Sequence, residues 1–124
     1  MDASIFRSTR FEECSSPIDL LKCLLGLNEV EAMTLIYILS NPGLSCEDIA
    51  SKIDKNKNSV QRGIKNLFDR GYVTRESVPL EGKQQKGFKY IYRPLRNELT
   101  LKNELLEVIE SRKEEMIKLV GKMF

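Results

Sequence analysis

Near the middle of this chain two short apolar stripes meet across a polar connector, and they constrain its fold more than any other feature. In the first, Ser45 and Asp48 form a helix-capping pair while Cys46, Ile49, Ala50 and Ile53 recur at i, i+3, i+4 and i+7, the spacing of a one-faced helix. Asp54 to Asn58 is polar, and after it Val60, Ile64, Leu67 and Phe68 trace a second helical stripe from Asn58 to Arg70, stopped at Gly71 by a glycine cap. Two short helices therefore meet across a tight turn.

The flanking segments complete the plan. Ser16 and Pro17 read as an N-cap and a first helical position, with Ile18, Leu20, Leu21, Leu24 and Leu25 as an apolar face that ends at Gly26. Asn28 opens a second helix, with Glu31 at capping-box spacing and Asn41-Pro42-Gly43 as its stop. Apolar residues occupy most of its circumference, so it must be covered on several sides. Downstream, Tyr72 to Val78 and Phe88 to Arg93 have strand character, and Pro79 to Gly87 between them is a long polar tip. After Pro94 the chain is helical to its end, and Leu106, Ile109, Lys113, Met116, Val120 and Met123 keep the 3-4 spacing of a coiled-coil seam. The fold class this implies is mainly α with a small β-hairpin: a winged helix-turn-helix with a long C-terminal dimerisation helix. Residues 1–15 form an N-terminal arm with no sustained period, 16–94 the winged domain, and 95–124 the terminal helix.

Composition narrows the functional class. A chain of 124 residues with a hydrophobic fraction of 41% supports one core and a protruding element. The formal net charge is only +2, but it is unevenly placed. Met1 to Ser51 holds 3 basic and 8 acidic residues, Lys52 to Arg93 holds 11 and 4, and Pro94 to Phe124 holds 6 of each, so the middle segment carries +7. No signal peptide, lipidation motif or membrane-length apolar run is present, which points to a cytoplasmic protein with no membrane partner. With no histidine and only Cys14, Cys23 and Cys46, a familiar metal site is not expected, nor are the Ser-His and Cys-His pairs of most hydrolytic enzymes. Neither a cofactor nor an enzymatic activity is therefore expected.

The side chains opposite the Val60 stripe carry the functional expectation. Ser59, Gln61, Arg62, Lys65 and Asn66, preceded by Asn56, Lys57 and Asn58, combine cations that bond guanine edges or phosphates with amides that bond adenine. A single acid, Asp69, lies near the end of that face. In the hairpin tip, Lys83, Gln84, Gln85 and Lys86 suit a phosphate backbone or minor groove. Double-stranded DNA is thus the expected partner, together with a second copy of the chain gripped through Leu106, Ile109, Met116, Val120 and Met123. A two-fold dimer places two reading helices about one turn of DNA apart and predicts a palindromic site. A rival reading is a winged-helix protein-interaction module that does not read bases. Cys46 and Cys23 serve most simply as small apolar fillers, and a Cys14–Cys23 disulfide acting as a redox device is an alternative for that pair.

The run from Leu27 to Tyr92 resembles the helix-turn-helix domain of archaeal TrmB-like regulators, and more distantly that of MarR-like regulators, through "LGLNEVEAMTLIYILSNPG", "SCEDIASKIDKNKNSVQRGIKNLFDRGYV" and a wing ending in "YIYRPL". Leu25, Gly26, Leu27, Glu31 and Ala32 match the family's opening phrase. The resemblance implies that Ser59, Gln61, Arg62 and Lys65 are DNA-facing, and that Tyr92-Arg93-Pro94 is the exit from the wing into a long helix. Full-length TrmB-like regulators carry a sugar-binding domain after this region. The roughly thirty residues that remain here fall far below domain size, so a sugar effector is not expected to carry over and no small-molecule effector is specified. A transcription regulator, acting as a repressor, is the expected function.

Overall fold

The computed structural model describes residues 16–80 and 87–124. The element order is α1 (Pro17–Leu25), α2 (Glu29–Ser40), α3 (Cys46–Ile53), α4 (Lys57–Asp69), β1 (Val73–Pro79), β2 (Phe88–Pro94) and α5 (Glu98–Met123). The N-terminal arm with Cys14, and the wing tip with Lys83, Gln84, Gln85 and Lys86, lie outside the described residues.

Each helix starts where a side chain satisfies the amides that a first turn leaves open. The Ser16 hydroxyl accepts from the Asp19 amide, with Pro17 in the first turn. Asn28 Oδ1 accepts from the Glu31 amide at 2.8 Å while Glu31 Oε1 accepts from the Asn28 amide at 2.9 Å, a reciprocal capping box. Ser45 and Asn97 cap α3 and α5 one way only, their side-chain oxygens accepting from the Asp48 and Thr100 amides. Gly26 ends α1 in the left-handed region at φ 68°, where a glycine has no Cβ penalty.

One boundary differs from expectation. The second helix of the pair, α4, begins at Lys57 rather than after the connector, because Asn56 is its N-cap and its side-chain oxygen accepts from the Asn58 amide at 2.8 Å. Asn56, Lys57 and Asn58 are thus the cap and first turn of α4, and the turn before it is tightened by Asp54 at φ 55°.

The core lies where α1, α2, α3, α4 and the foot of β1 converge. Leu35, Ile38, Ile49, Val60, Leu67 and Val73 are its largest fully buried apolar side chains. Ala32, Thr34, Leu35 and Ile38 are buried around much of α2, as a helix packed against α1, α3 and α4 requires. β1 and β2 pair antiparallel in the register Val73↔Pro94 to Pro79↔Phe88. A short third rung joins them to the helices: Gly43 donates to the Tyr92 carbonyl and Tyr92 donates to the Leu44 carbonyl, at 2.8 and 2.9 Å. This bridge anchors the foot of the hairpin to the turn between α2 and α3.

α5 divides into two halves. Leu101 is buried, Leu105 packs on the core, and Arg112 Nη2 donates to the Leu24 carbonyl at 3.5 Å. From Ile109 to the C-terminus every residue is exposed. Among the described residues no single helix is long and apolar enough to cross a membrane. The consecutive pair α1 and α2, which reaches that length together, is bent by 116°.

Candidate nucleic-acid interface

The outward ridge of α4 is set by how its inward side is held. Val60, Ile64 and Leu67 are buried at i, i+4 and i+7, which leaves Gln61, Arg62, Lys65, Asn66 and Asp69 exposed on the other side. Gly63 sits between, where α2 comes close. A Cβ there would meet Glu31 Cγ at 3.4 Å and Val30 Cγ1 at 3.7 Å, so glycine permits the close approach of α2 and α4. The buried Glu31 carboxylate joins the two helices, because its second oxygen accepts a hydrogen bond from Asn66 Nδ2. One carboxylate thereby caps α2 and fixes the rotation of α4 about its own axis.

Two clefts flank the ridge. On the α2 side, Asn28, Glu29, Glu31, Ser59, Arg62, Gly63 and Asn66 line a hollow of about 620 Å³. On the wing side, Gln61, Arg62, Lys65, Phe68, Asp69, Arg75, Tyr90 and Tyr92 line one of about 550 Å³. Arg62 lines both and stands on the crest. Arg62 and Lys65 therefore share one surface, on the side from which the hairpin rises.

The remaining expected residues have more local duties. Asn56 is spent as a cap, Lys57 Nζ pairs with Glu47 at 2.6 Å, and the Asn66 amide nitrogen is engaged by Glu31. Glu47 beside it raises the Lys57 ammonium above its ordinary value, first through the hydrogen bond and then through charge. Ser59 is half-buried. The first turn of α4 has no acidic residue, whereas α1, α2, α3 and α5 each carry one or more there. The amide end of the α4 dipole is left without an acid on its own helix, which favours an approaching anion.

Several features of the site could not be read from periodicity. Phe68, expected in the core stripe, is 38% exposed at its edge. Its ring is covered by Arg75, whose guanidinium carbon lies 4.8 Å from the Phe68 centroid and 4.5 Å from that of Tyr90. At the very base of the hairpin, Arg70 and Arg96 both lie over the Tyr72 ring, and Arg96 pairs with Glu104 on α5. That cluster ties the wing exit to the long helix. The only sequence signal for these groupings is the alternation of cations and aromatics around the strands.

Cys46 is a free thiol, half-buried, with Sγ 3.8 Å from the Lys57 carbonyl. Burial pushes its pKa up, with Lys57 opposing and Glu47 adding to the shift, so it packs as an apolar group rather than as a thiolate. The Tyr92 hydroxyl is raised chiefly by burial as well. Cys23 is disulfide-bonded, and Cys14 lies outside the described residues. Among the described residues no group of three or more Cys, Asp or Glu side chains is arranged to hold a metal ion.

A helix pair joined by a tight turn, its second helix bearing an exposed cationic ridge and followed by an antiparallel hairpin, defines the winged helix-turn-helix class. Residues 21–98 match the family described as "Sugar-specific transcriptional regulator TrmB", and the chain belongs to that family. An uncharacterized protein of Methanocaldococcus jannaschii is 34% identical over 74 residues, which cover 60% of this chain and 58% of the relative, so the chain spans under two thirds of that relative's length. Among solved structures, a protein of Methanosarcina mazei described as a possible transcriptional regulator superposes with a TM-score of 0.65 at 20% identity, covering 84% of this chain and 85% of its own. A Staphylococcus aureus MepR variant bound to an oligodeoxyribonucleotide gives 0.55 at 18% identity, covering 98% and 83%. At these identities the likeness is one of fold.

Proposed function

We propose that this chain is a sequence-specific double-stranded DNA-binding transcription regulator of the cytoplasm, acting as a homodimer on a palindromic operator and repressing by occupying a promoter. The observation that carries the reading is the α4 ridge. Gln61, Arg62 and Lys65 are exposed together beside the hairpin, and Arg62 on the crest has no ion pair or side-chain hydrogen bond among the described residues. A helix whose outward donors are unspent, and whose first turn lacks acids, is suited to the major groove. Arg62 is the base-reading anchor in this account, Gln61 and Lys65 its neighbours, and the wing lysines Lys83 and Lys86 grip adjacent phosphates. The DNA-bound state of the MepR variant, a protein of the same fold, supports this use of the architecture. No catalytic step belongs to it.

Self-association rests on α5. Leu106, Ile109, Met116, Val120 and Met123 are all exposed, and the apolar stripe runs past the point where the helix leaves its own core. A stripe of this kind is stabilised by a partner helix.

The test is selection of bound sequences from random duplexes by the full chain. The expected product is a two-fold symmetric consensus with half-sites about 10 base pairs apart. Arg62→Ala should then weaken binding to that duplex by about 1 to 3 kcal/mol and relax preference at one position of each half-site. Enrichment of no sequence would reject the reading and favour an interaction module instead.

A further inference from the structure

The described arginines fall into two groups. Arg70 and Arg112 donate to the carbonyls of Leu25 and Leu24, while Arg93 and Arg96 face the carboxylates of Glu76 and Glu104. Those four guanidinium groups are spent on the fold itself. Arg62 and Arg75 make no ion pair and no side-chain hydrogen bond among the described residues, and both line the cleft between α4 and the hairpin. Arg62 stands on the reading ridge. Arg75 comes from β1, where it pairs in register with Tyr92, and it is held over the rings of Phe68 from α4 and Tyr90 from β2.

Ring contacts engage the π system of a guanidinium and consume none of its five N–H donors. Arg75 is therefore positioned from two elements while its donors stay unspent. The one acid lining the cleft, Asp69, forms no ion pair with it. The partial exposure of Phe68 has a use in this arrangement, since a ring at the edge of the core stripe is what can support a cation beside α4. A lysine would carry the charge without the stacking or the forked geometry that binds a phosphate at two points.

We propose that Arg75 is a backbone-phosphate clamp: its guanidinium, supported by Phe68 and Tyr90, binds a DNA phosphate on the rim of the groove that α4 enters and sets the depth and tilt of α4 without reading a base. The placement favours a phosphate over a base edge, because Arg75 lies at the foot of the wing, behind the crest that Arg62 occupies, and phosphates flank a groove whose floor the helix faces. The proposal rests on the DNA-binding reading above. It adds a residue that the sequence did not single out and assigns it a sequence-independent role.

The experiment measures affinity of the full chain, over a series of sodium chloride concentrations, for the duplex obtained by selection and for a mixed-sequence duplex of the same length. Arg75→Ala is expected to weaken both by the same factor, about tenfold. It should also reduce the salt slope by about 1, as loss of one phosphate contact does. Arg75→Lys should keep the slope and recover affinity only in part. Phe68→Leu combined with Tyr90→Leu should lower affinity with the slope unchanged, because the charge remains and its support is gone. Thermal unfolding of each variant separates these effects from loss of folded protein.

The clamp is overturned if Arg75→Ala leaves affinity and slope unchanged, if it alters the preference between the two duplexes, or if weakened binding follows the loss of folded protein alone. Wild-type protein that binds neither duplex would overturn the DNA reading and the clamp together. Wild-type binding that is sensitive to Arg62→Ala but indifferent to Arg75→Ala would overturn the clamp and leave the reading standing.

Discussion

Met116→Glu combined with Val120→Glu is expected to make the protein monomeric at micromolar concentration and to lower its affinity for a duplex with two half-sites by about 10²- to 10⁴-fold, the gain that linking two binding modules confers. Both residues are more than half exposed on the outer half of α5, so glutamate there costs the single chain little. Glutamate is also a good helix former, which keeps α5 intact. Across a two-fold seam the same substitutions set four carboxylates against an apolar surface, and burying unpaired charge is strongly unfavourable. Light scattering reads the mass, and titration of a single half-site gives the control, which should be nearly unchanged. A double variant that remains dimeric would remove α5 from the interface. A monomer that binds the two-site duplex as well as wild type would remove dimerisation from recognition.

Leu67→Ala is expected to destabilise the fold by about 2 to 5 kcal/mol, read as a lower urea midpoint. Leu67 is fully buried on the inward side of α4, one turn past Ile64 and opposite the ridge. Its removal deletes transfer free energy and leaves a cavity between α4 and the helices beneath it. Small domains have only about 5 to 15 kcal/mol of stability in total, so the loss is a large share. DNA affinity at temperatures where the variant stays folded should change little, because no ridge residue is altered. A midpoint within experimental error of wild type would contradict the core described above.

What was legible in the sequence was what is local in the chain. The capping box of Asn28 with Glu31, the cap of Ser45 on Asp48, the stop at Gly26 and the stripe of Val60, Ile64 and Leu67 each rest on residues within a turn or two of one another. Periodicity reports which side chains leave water, and it located the exposed Gln61, Arg62 and Lys65 for that reason. It does not report what meets what. The bond between Glu31 and Asn66 joins residues 35 apart, Arg75 reaches its rings from two other segments, and the Leu44–Tyr92 rung depends on how the hairpin returns to the helices. Phe68 illustrates the limit: its position in the stripe reads as core, while a single step around the helix places it under a guanidinium at the edge. In α5 a 3-4 spacing has the same appearance whether the stripe covers its own domain or a partner. In the fold Leu101 and Leu105 are turned to the core, while Leu106, Ile109, Met116, Val120 and Met123 are exposed, and the measurement of mass above decides what covers them.

The central claim is that DNA lies against the ridge of α4 and the adjoining face of the hairpin. The most direct measurement is the change in backbone and side-chain nuclear magnetic resonances when the selected duplex is added to the labelled full chain. The account predicts that the largest changes fall on Ser59, Gln61, Arg62, Lys65 and Arg75, with Arg62 and Arg75 guanidinium signals becoming protected from exchange. Changes that leave those residues untouched and gather instead on α1 or on the outer half of α5 would contradict it.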